Sequence, residues 1–213
     1  GVPTGFSVNV RDIVINCGYS YLFSDRWTGG AALKMIYSKL ADYSSVALAV
    51  DLGLNYFDEE QDLSASLSVQ NIGTQVKAYD DGMKTHLPFT LTLGFSKGFD
   101  HLPVRIHAAF TDVTRWKSNY YALPDADSKK VKFGSKLLNH FVVGLDILPT
   151  NYLYIAAGYN FRRAYELKAS GSSKMAGLSF GAGIDLKGFK FGLSYARYHL
   201  AASSIMGSLA YSF

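Results

Sequence analysis

Histidine and cysteine are the residue types most able to hold a metal ion, so they are considered first. The five histidines are dispersed, and no two have the close spacing of known metal motifs. A single cysteine, Cys17, is too few for a cysteine-based zinc site or an intramolecular disulfide. The sequence therefore predicts no metal site and no cofactor. The histidines are His86, His101, His107, His140 and His199.

A serine nucleophile is the second chemistry to test, because Gly-x-Ser-x-Gly occurs twice, at 94–98 and at 177–181. In hydrolases this motif works at a sharp turn from a strand into a helix. Ser179 lies in the middle of an alternating segment and Ser96 lies just before a short turn, so neither context fits. In a chain with 20 glycines, chance matches are the better interpretation. We predict no catalytic residue and no enzyme.

The charged residues offer a third kind of site. The net charge is +4, but the basic residues are scattered and form no long run or stripe, so we predict no nucleic-acid partner. Two pairs of opposite charge lie among polar residues that alternate with apolar ones along the sequence, Arg105 with Asp51 and His140 with Asp146. Each pair is a candidate site. The alternative is that these charges are solvated or paired for structural reasons.

The elements that carry these residues are recognised by a period of two, which is typical of β-strands with two different environments. The opposite phase of each segment mixes polar side chains with glycine and alanine and cannot form a dry core. The sequence therefore predicts an all-β protein, either a soluble sandwich or a barrel whose apolar phase faces lipid. The eleven segments are 13–21, 27–37, 46–56, 63–69, 89–95, 104–110, 141–147, 153–161, 176–184, 189–195 and 205–213.

The connections separate the sandwich from the barrel. Counted from the C-terminus, the long links fall only at alternate positions, at 72–88, 113–139 and 162–174. Short turns on one side and long loops on the other are the rule for outer-membrane barrels. No stretch approaches the ~18 to 20 apolar residues of a membrane helix. We therefore predict an antiparallel transmembrane β-barrel in the bacterial outer membrane, in contact with membrane lipid.

The C-terminus and the strand number add two expectations. An aromatic residue that closes an alternating strand resembles the C-terminal sorting signal of outer-membrane barrels, so Phe213 and Tyr211 are assigned to that signal. Eleven strands is an odd number, whereas bacterial single-chain barrels use even counts. Either strands precede Gly1, or one strand within 114–136 is missed. We expect residues 1–213 to form a single barrel domain that lacks N-terminal strands.

Three aromatic residues stand out in the long loop 113–137, where no folding role is evident for them. Trp116, Tyr120 and Tyr121 suggest a docking surface for a partner protein, because exposed aromatics are typical of such surfaces. The alternative is that the loop folds back and plugs the barrel with these residues. Both interpretations are kept here.

Three stretches carry a family resemblance: "NIGTQVKAYDDGMKTHLPFTLTLGFSKGF" at 71–99, "ILPTNYLYIAAGYNFRRAYELK" at 147–168, and "MAGLSFGAGIDLKGFKFGLSYARYHLA" at 175–201. They resemble the PorV/PorQ family of the Bacteroidetes type IX secretion system, with the PorQ branch closer. This family is itself similar to fatty-acid-transporter barrels of the FadL type with fourteen strands. The resemblance implies the C-terminal part of a fourteen-stranded barrel that anchors a PorZ-like surface protein through its extracellular loops. The alternative function is a FadL-like channel for hydrophobic or small solutes.

Overall fold

The computed structural model describes residues 10–41, 43–78, 86–99, 101–116, 131–169, 175–197 and 203–211. In this part of the chain, eleven strands form one antiparallel sheet in which each strand pairs with the next along the sequence. The prediction of an all-β, antiparallel fold is thus confirmed. The strands are β1 (Val10–Ser24), β2 (Trp27–Leu40), β3 (Tyr43–Asp58), β4 (Leu63–Lys77), β5 (Thr90–Phe99), β6 (Leu102–Phe110), β7 (Phe141–Thr150), β8 (Leu153–Asn160), β9 (Leu178–Leu186), β10 (Phe189–Ala196) and β11 (Ser204–Tyr211).

The two faces of the sheet differ as the alternation predicts. On β3, Leu48 and Leu52 of the apolar phase are 42% and 45% exposed, whereas Ala47 and Ala49 of the other phase are buried. Large apolar side chains on the exposed face reverse the arrangement of a soluble protein, and they match a wall that contacts lipid. We call this the apolar face. The polar face is the opposite one, and it carries among others Asn16, Lys34, Asp51, Ser66, Ser96, Arg105, His107, Asp146 and Ser179.

The chain forms two compact units. The first contains Gly1–Tyr56 and Leu67–Leu91, and the second contains Phe57–Ser66 and Thr92–Phe213. Within the first unit β2 pairs with both β1 and β3, and within the second unit the pairing runs without interruption from β5 to β11. The expectation of a single barrel domain over residues 1–213 stays a prediction.

The turn between β9 and β10 shows how local chemistry fixes the strand register. Lys187 and Gly188 both have positive φ angles, 50° and 90°. A two-residue turn with positive φ at both positions has the twist that joins antiparallel strands, and glycine adopts this region without a steric cost. The pairing begins directly at Leu186 and Phe189. The sequence prediction of a brief turn here is correct.

The structure departs from the sequence prediction in the long links. The link predicted to begin at residue 72 begins later, since β4 continues through Lys77. Two short helices, α1 (Phe133–Asn139) and α2 (Phe161–Ala169), lie in segments predicted as loops. Phe161 therefore begins a helix and does not end a strand, because the Asn160 side chain accepts the backbone N–H of Arg163 at 2.9 Å and caps the first turn.

The helices are too short and too polar to cross a membrane: among the described residues, no helix has the length and hydropathy of a membrane span.

Candidate functional site on the polar face

A continuous row of small residues crosses the polar face of the second unit. Each member is the cross-strand partner of the next, and one residue comes from each of the seven strands β5 to β11. Its members are Ser96, His107, Gly144, Gly158, Ser179, Ala196 and Ser204. We call this set the small-residue row. Because glycine, alanine and serine project little from the sheet, the row leaves open space above the strands, and His107 is its one large side chain.

Two charge pairs lie beside the row. The Arg105 guanidinium donates to both carboxylate oxygens of Asp62 at 3.0 Å, and Nε2 of His107 lies 2.8 Å from Oδ2 of Asp146. Arg105 and Asp146 are direct cross-strand partners, so the two pairs are adjacent. Two parallel N–H···O bonds give the arginine pair a defined geometry as well as attraction.

These pairings correct the sequence prediction. Asp51 is paired with Lys34, whose Nζ lies 2.6 Å from its Oδ2, and Arg105 is paired with Asp62. Asp146 is held by His107 and not by His140. Asp51, Arg105 and Asp146 lie on strands as predicted, whereas His140 precedes β7, and the phase alone does not tell which neighbours come within hydrogen-bond distance.

The turn that follows β3 explains why Arg105 binds Asp62. The carboxylate of Asp58 accepts the backbone N–H of Gln61 at 3.3 Å, which folds the turn on itself. Asp62 has a φ of 44°, and its carbonyl accepts the N–H of Gly98 at 2.8 Å. A Cβ at Gly98 would overlap the Asp62 carboxylate. Glycine at position 98 is therefore what allows this turn to lie against β5 and reach Arg105.

A cavity of about 420 Å³ opens at the small-residue row. Three serine hydroxyls, from Ser64, Ser66 and Ser96, share it with His107. Its remaining lining is small or apolar, and includes Gly94, Ala109, Val142, Gly144 and Gly158. Cavities of this volume lie within the range of ligand sites, roughly 300 to 1,000 Å³. The site therefore combines space for a small molecule with several hydrogen-bonding groups.

The first unit carries its own polar cluster. Lys34 contacts Asp51 and also donates to Oδ1 of Asn71 at 3.1 Å. The backbone N–H of Asn71 donates to the Asp51 carboxylate at 2.7 Å, and Asn71 has a φ of 59°. A positive φ within a strand is unusual for a residue other than glycine. Asp51 thus stabilises a local irregularity of β4, which is a structural role.

The structure describes one of the three residues predicted to bind a partner. Trp116 is half-buried, and its indole N–H donates to the carbonyl of Val113 at 2.6 Å. Its ring stacks on His140 at a centroid distance of 4.3 Å and on Phe133 at 5.9 Å. Tyr120 and Tyr121 lie outside the described residues. Trp116 therefore packs against its own chain, and its role in binding a partner stays a prediction.

His140 anchors this aromatic cluster. It is fully buried, with Nδ1 2.7 Å from the carbonyl of Lys136 and Nε2 3.1 Å from the carbonyl of Arg115. The ring thereby connects α1 to the segment that follows β6. His140 was expected to face the lumen as part of a charge pair, whereas here it holds two loop segments together.

A buried network of charged side chains connects α2 to the segment that follows β6. Arg162 lies 3.0 Å from a carboxylate oxygen of Asp112 and 3.4 Å from one of Glu166. Both acids are buried, and Arg115 lies 3.7 Å from Asp112. Buried carboxylates need such partners because an unpaired charge is costly in a medium of low polarity. No local pattern predicts this network, since it joins two segments predicted as loops.

The remaining predicted site residues are placed as follows. Tyr211 ends β11 and packs its ring on Phe189 at a centroid distance of 4.6 Å, whereas Phe213 lies outside the described residues. Ser96 and Ser179 both lie within strands and not at the turn from strand to helix that a nucleophile elbow requires. Among the described residues, no group of three or more His, Cys, Asp and Glu side chains could hold a metal ion.

This chain is similar to known proteins in structure but not in sequence. No protein-family model matches the chain, and no curated protein matches its sequence. The toluene transporter TbuX of Ralstonia pickettii has a similar structure, with a TM-score of 0.56 and 14% sequence identity over 99% of this chain and 70% of that chain. The likeness supports the barrel fold and does not support the PorV/PorQ family specifically.

At this level of identity the likeness shows the fold alone. The chain therefore has an antiparallel transmembrane β-barrel fold, and its location is the outer membrane.

Proposed function

We propose that this protein is an outer-membrane channel for small solutes, which pass along the polar face of the sheet. The observation that carries this proposal is the small-residue row. A wall built from glycine, alanine and serine across seven strands leaves space that larger side chains would fill. The likeness to a transporter of the same fold supports this function over the others considered.

The charges of the polar face fit this proposal. Arg105 is neutralised by Asp62 and Lys34 by Asp51, so neither cation is left to hold an anion tightly. A channel must bind its solute weakly enough to release it on the other side. Small neutral side chains and paired charges meet that requirement, because they offer hydrogen bonds without a strong electrostatic trap.

The experiment is solute influx into liposomes that contain the intact protein. Heat-modifiable mobility on gels first establishes that the barrel is inserted. We expect influx of small solutes well above that of protein-free liposomes, and influx that falls with solute size. An inserted protein that passes no solute of any class would contradict the proposal.

Docking of a surface partner is the second candidate, and one observation favours it. Phe133 and Leu138 on α1 are 72% and 54% exposed, in the described end of the link 113–139. Two large apolar side chains exposed on one short helix are typical of contact surfaces. A type IX secretion role with a PorZ-like partner rests on the sequence resemblance alone.

A loop deletion tests the docking function. Residues 117–132 are deleted in the intact protein, and Phe133→Ser with Leu138→Ser is made separately. If the loop docks a partner, both variants still reach the outer membrane, since loops tolerate change, but they lose the surface protein. Full retention of that protein on cells by both variants would refute docking at this loop.

A further inference from the structure

We propose that the cavity at the small-residue row is a binding subsite for small neutral solutes that carry hydroxyl groups, such as polyols and hexoses. The inference rests on the proposed transport function and specifies its substrate class. It is argued from the lining of the cavity, from the pairing of the nearby charges and from the orientation of His107.

The lining offers hydrogen-bonding groups among small side chains. Ser66 and Ser96 each bring a hydroxyl, which has one donor and two acceptor positions. A solute hydroxyl is also both a donor and an acceptor, so each serine hydroxyl can donate a hydrogen bond to it or accept one from it. Among the described lining residues of the polar face, Val142 is the largest aliphatic side chain, and Phe95, Ala108 and Val143 of the opposite phase also line the cavity. The serine hydroxyls are therefore the groups that favour a hydroxylated solute.

The charges near the cavity exclude an ionic solute as the preferred ligand. His107 is the one titratable side chain among the described lining residues, and it already faces Asp146. The neighbouring Arg105 is held by both oxygens of Asp62. An anion or a cation entering the cavity would lose hydration and find no unpaired counter-charge among these groups, which is unfavourable.

His107 directs one ring nitrogen at Asp146. Nε2 lies 2.8 Å from the Asp146 carboxylate, so Nδ1 is the ring nitrogen that a solute can meet. The Cδ2 edge of the ring is the one close to Gly144, 3.7 Å from the position a Cβ would take there. Ser96 is the cross-strand partner of His107. Together the two residues offer a ring nitrogen and a hydroxyl to one solute.

Glycine keeps the cavity open. A Cβ at Gly144 would make ordinary contact with His107 at 3.5 Å, so a larger side chain at this position extends into the cavity without displacing the backbone. Gly207 on the apolar face of β11 has nothing within 4 Å of its Cβ position. The same substitution at these two glycines therefore adds the same bulk to opposite faces of the sheet.

The test compares solute influx into liposomes for the intact protein and four variants. The probes are glucose as the neutral hydroxylated solute, gluconate as the anion, glucosamine as the cation and toluene as the apolar solute. We expect glucose to enter fastest and to show saturation. Gly144→Phe should reduce glucose influx about tenfold or more, and Gly207→Phe should leave it unchanged.

A smaller substitution keeps the test independent of folding. Ser96→Ala removes one hydroxyl and leaves both charge pairs intact, so the glucose concentration at half-maximal influx should rise about three- to tenfold, the effect of one neutral hydrogen bond. Ser194→Ala, on the polar face of β10 and outside the cavity, is the matched control and should not change it. Heat-modifiable mobility verifies insertion of every variant.

The outcomes are distinguishable. Equal influx of glucose, gluconate and glucosamine, preference for toluene, or no effect of Ser96→Ala would each overturn the subsite and leave transport standing. No influx of any probe would overturn the transport function as well. Saturable glucose influx that is weakened by Ser96→Ala and blocked by Gly144→Phe would establish the subsite.

Discussion

An arginine placed on either face of β5 gives a direct measure of which face contacts lipid. Leu93 belongs to the apolar phase and is 45% exposed, whereas its neighbour Thr92 is half-buried on the polar phase. We compare Leu93→Arg with Thr92→Arg, so that both variants carry the same charge at nearly the same height in the wall.

The magnitude follows from the geometry of the strand. Ten residues of β5, at ~3.4 Å per residue and a tilt of ~45°, span roughly 24 Å, which matches the ~25 Å apolar band of outer-membrane barrels. Leu93 is the fourth of these residues and lies roughly 4 Å from the midplane on the same scale. An arginine at the midplane costs ~2 to 4 kcal/mol, which is roughly a 30- to 900-fold loss in the folded population.

The assay is equilibrium refolding from urea into lipid vesicles, followed by the shift in gel mobility. Leu93→Arg should lower the free energy of unfolding by the amount above. Thr92→Arg should change it by less than about 1 kcal/mol, because a lumenal charge stays hydrated. Equal losses for the two variants, or a larger loss for Thr92→Arg, would show that the assignment of faces is wrong.

Three further predictions concern the turn at Asp62, the aromatic cluster and the C-terminus. Gly98→Ala should lower the free energy of unfolding by about 1 to 3 kcal/mol in urea refolding, because the new Cβ overlaps the Asp62 carboxylate. If the same substitution lowers that free energy equally in an Asp62→Ala background, the contact is refuted. Trp116→Ala removes ring contacts worth about 0.5 to 1.5 kcal/mol each, so amide hydrogen exchange near His140 should accelerate, and unchanged exchange would contradict the stacking. Deletion of Phe213 should reduce assembly in the outer membrane of cells and leave refolding in vitro intact, whereas normal assembly in cells would refute the sorting signal.

The strands and their two faces could be predicted from the sequence because their signal is local. Every second side chain points to the same side, so the alternation of Val46, Leu48 and Val50 with Ala47 and Ala49 fixes the phase of β3 without knowledge of its neighbours. A shift of one residue would move the whole apolar set to the polar face. For this reason the eleven strands of the described residues were predicted, although some ends were misplaced, by one residue at 161, by two at 176 and by eight at the end of β4, which continues to Lys77.

The charge pairs and the short helices were decided only by the tertiary structure. Arg105 reaches Asp62 because the turn that holds Asp62, far away in the sequence, packs against Gly98. No local sequence pattern predicts that contact. The same holds for His140, whose two ring nitrogens contact carbonyl groups 4 and 25 residues away. Alternation in the sequence therefore determined which face each strand side chain occupies. The three-dimensional path of the turns determined which partner that side chain contacts. A hydrogen bond depends on distances to within a few tenths of an ångström, which sequence spacing does not specify.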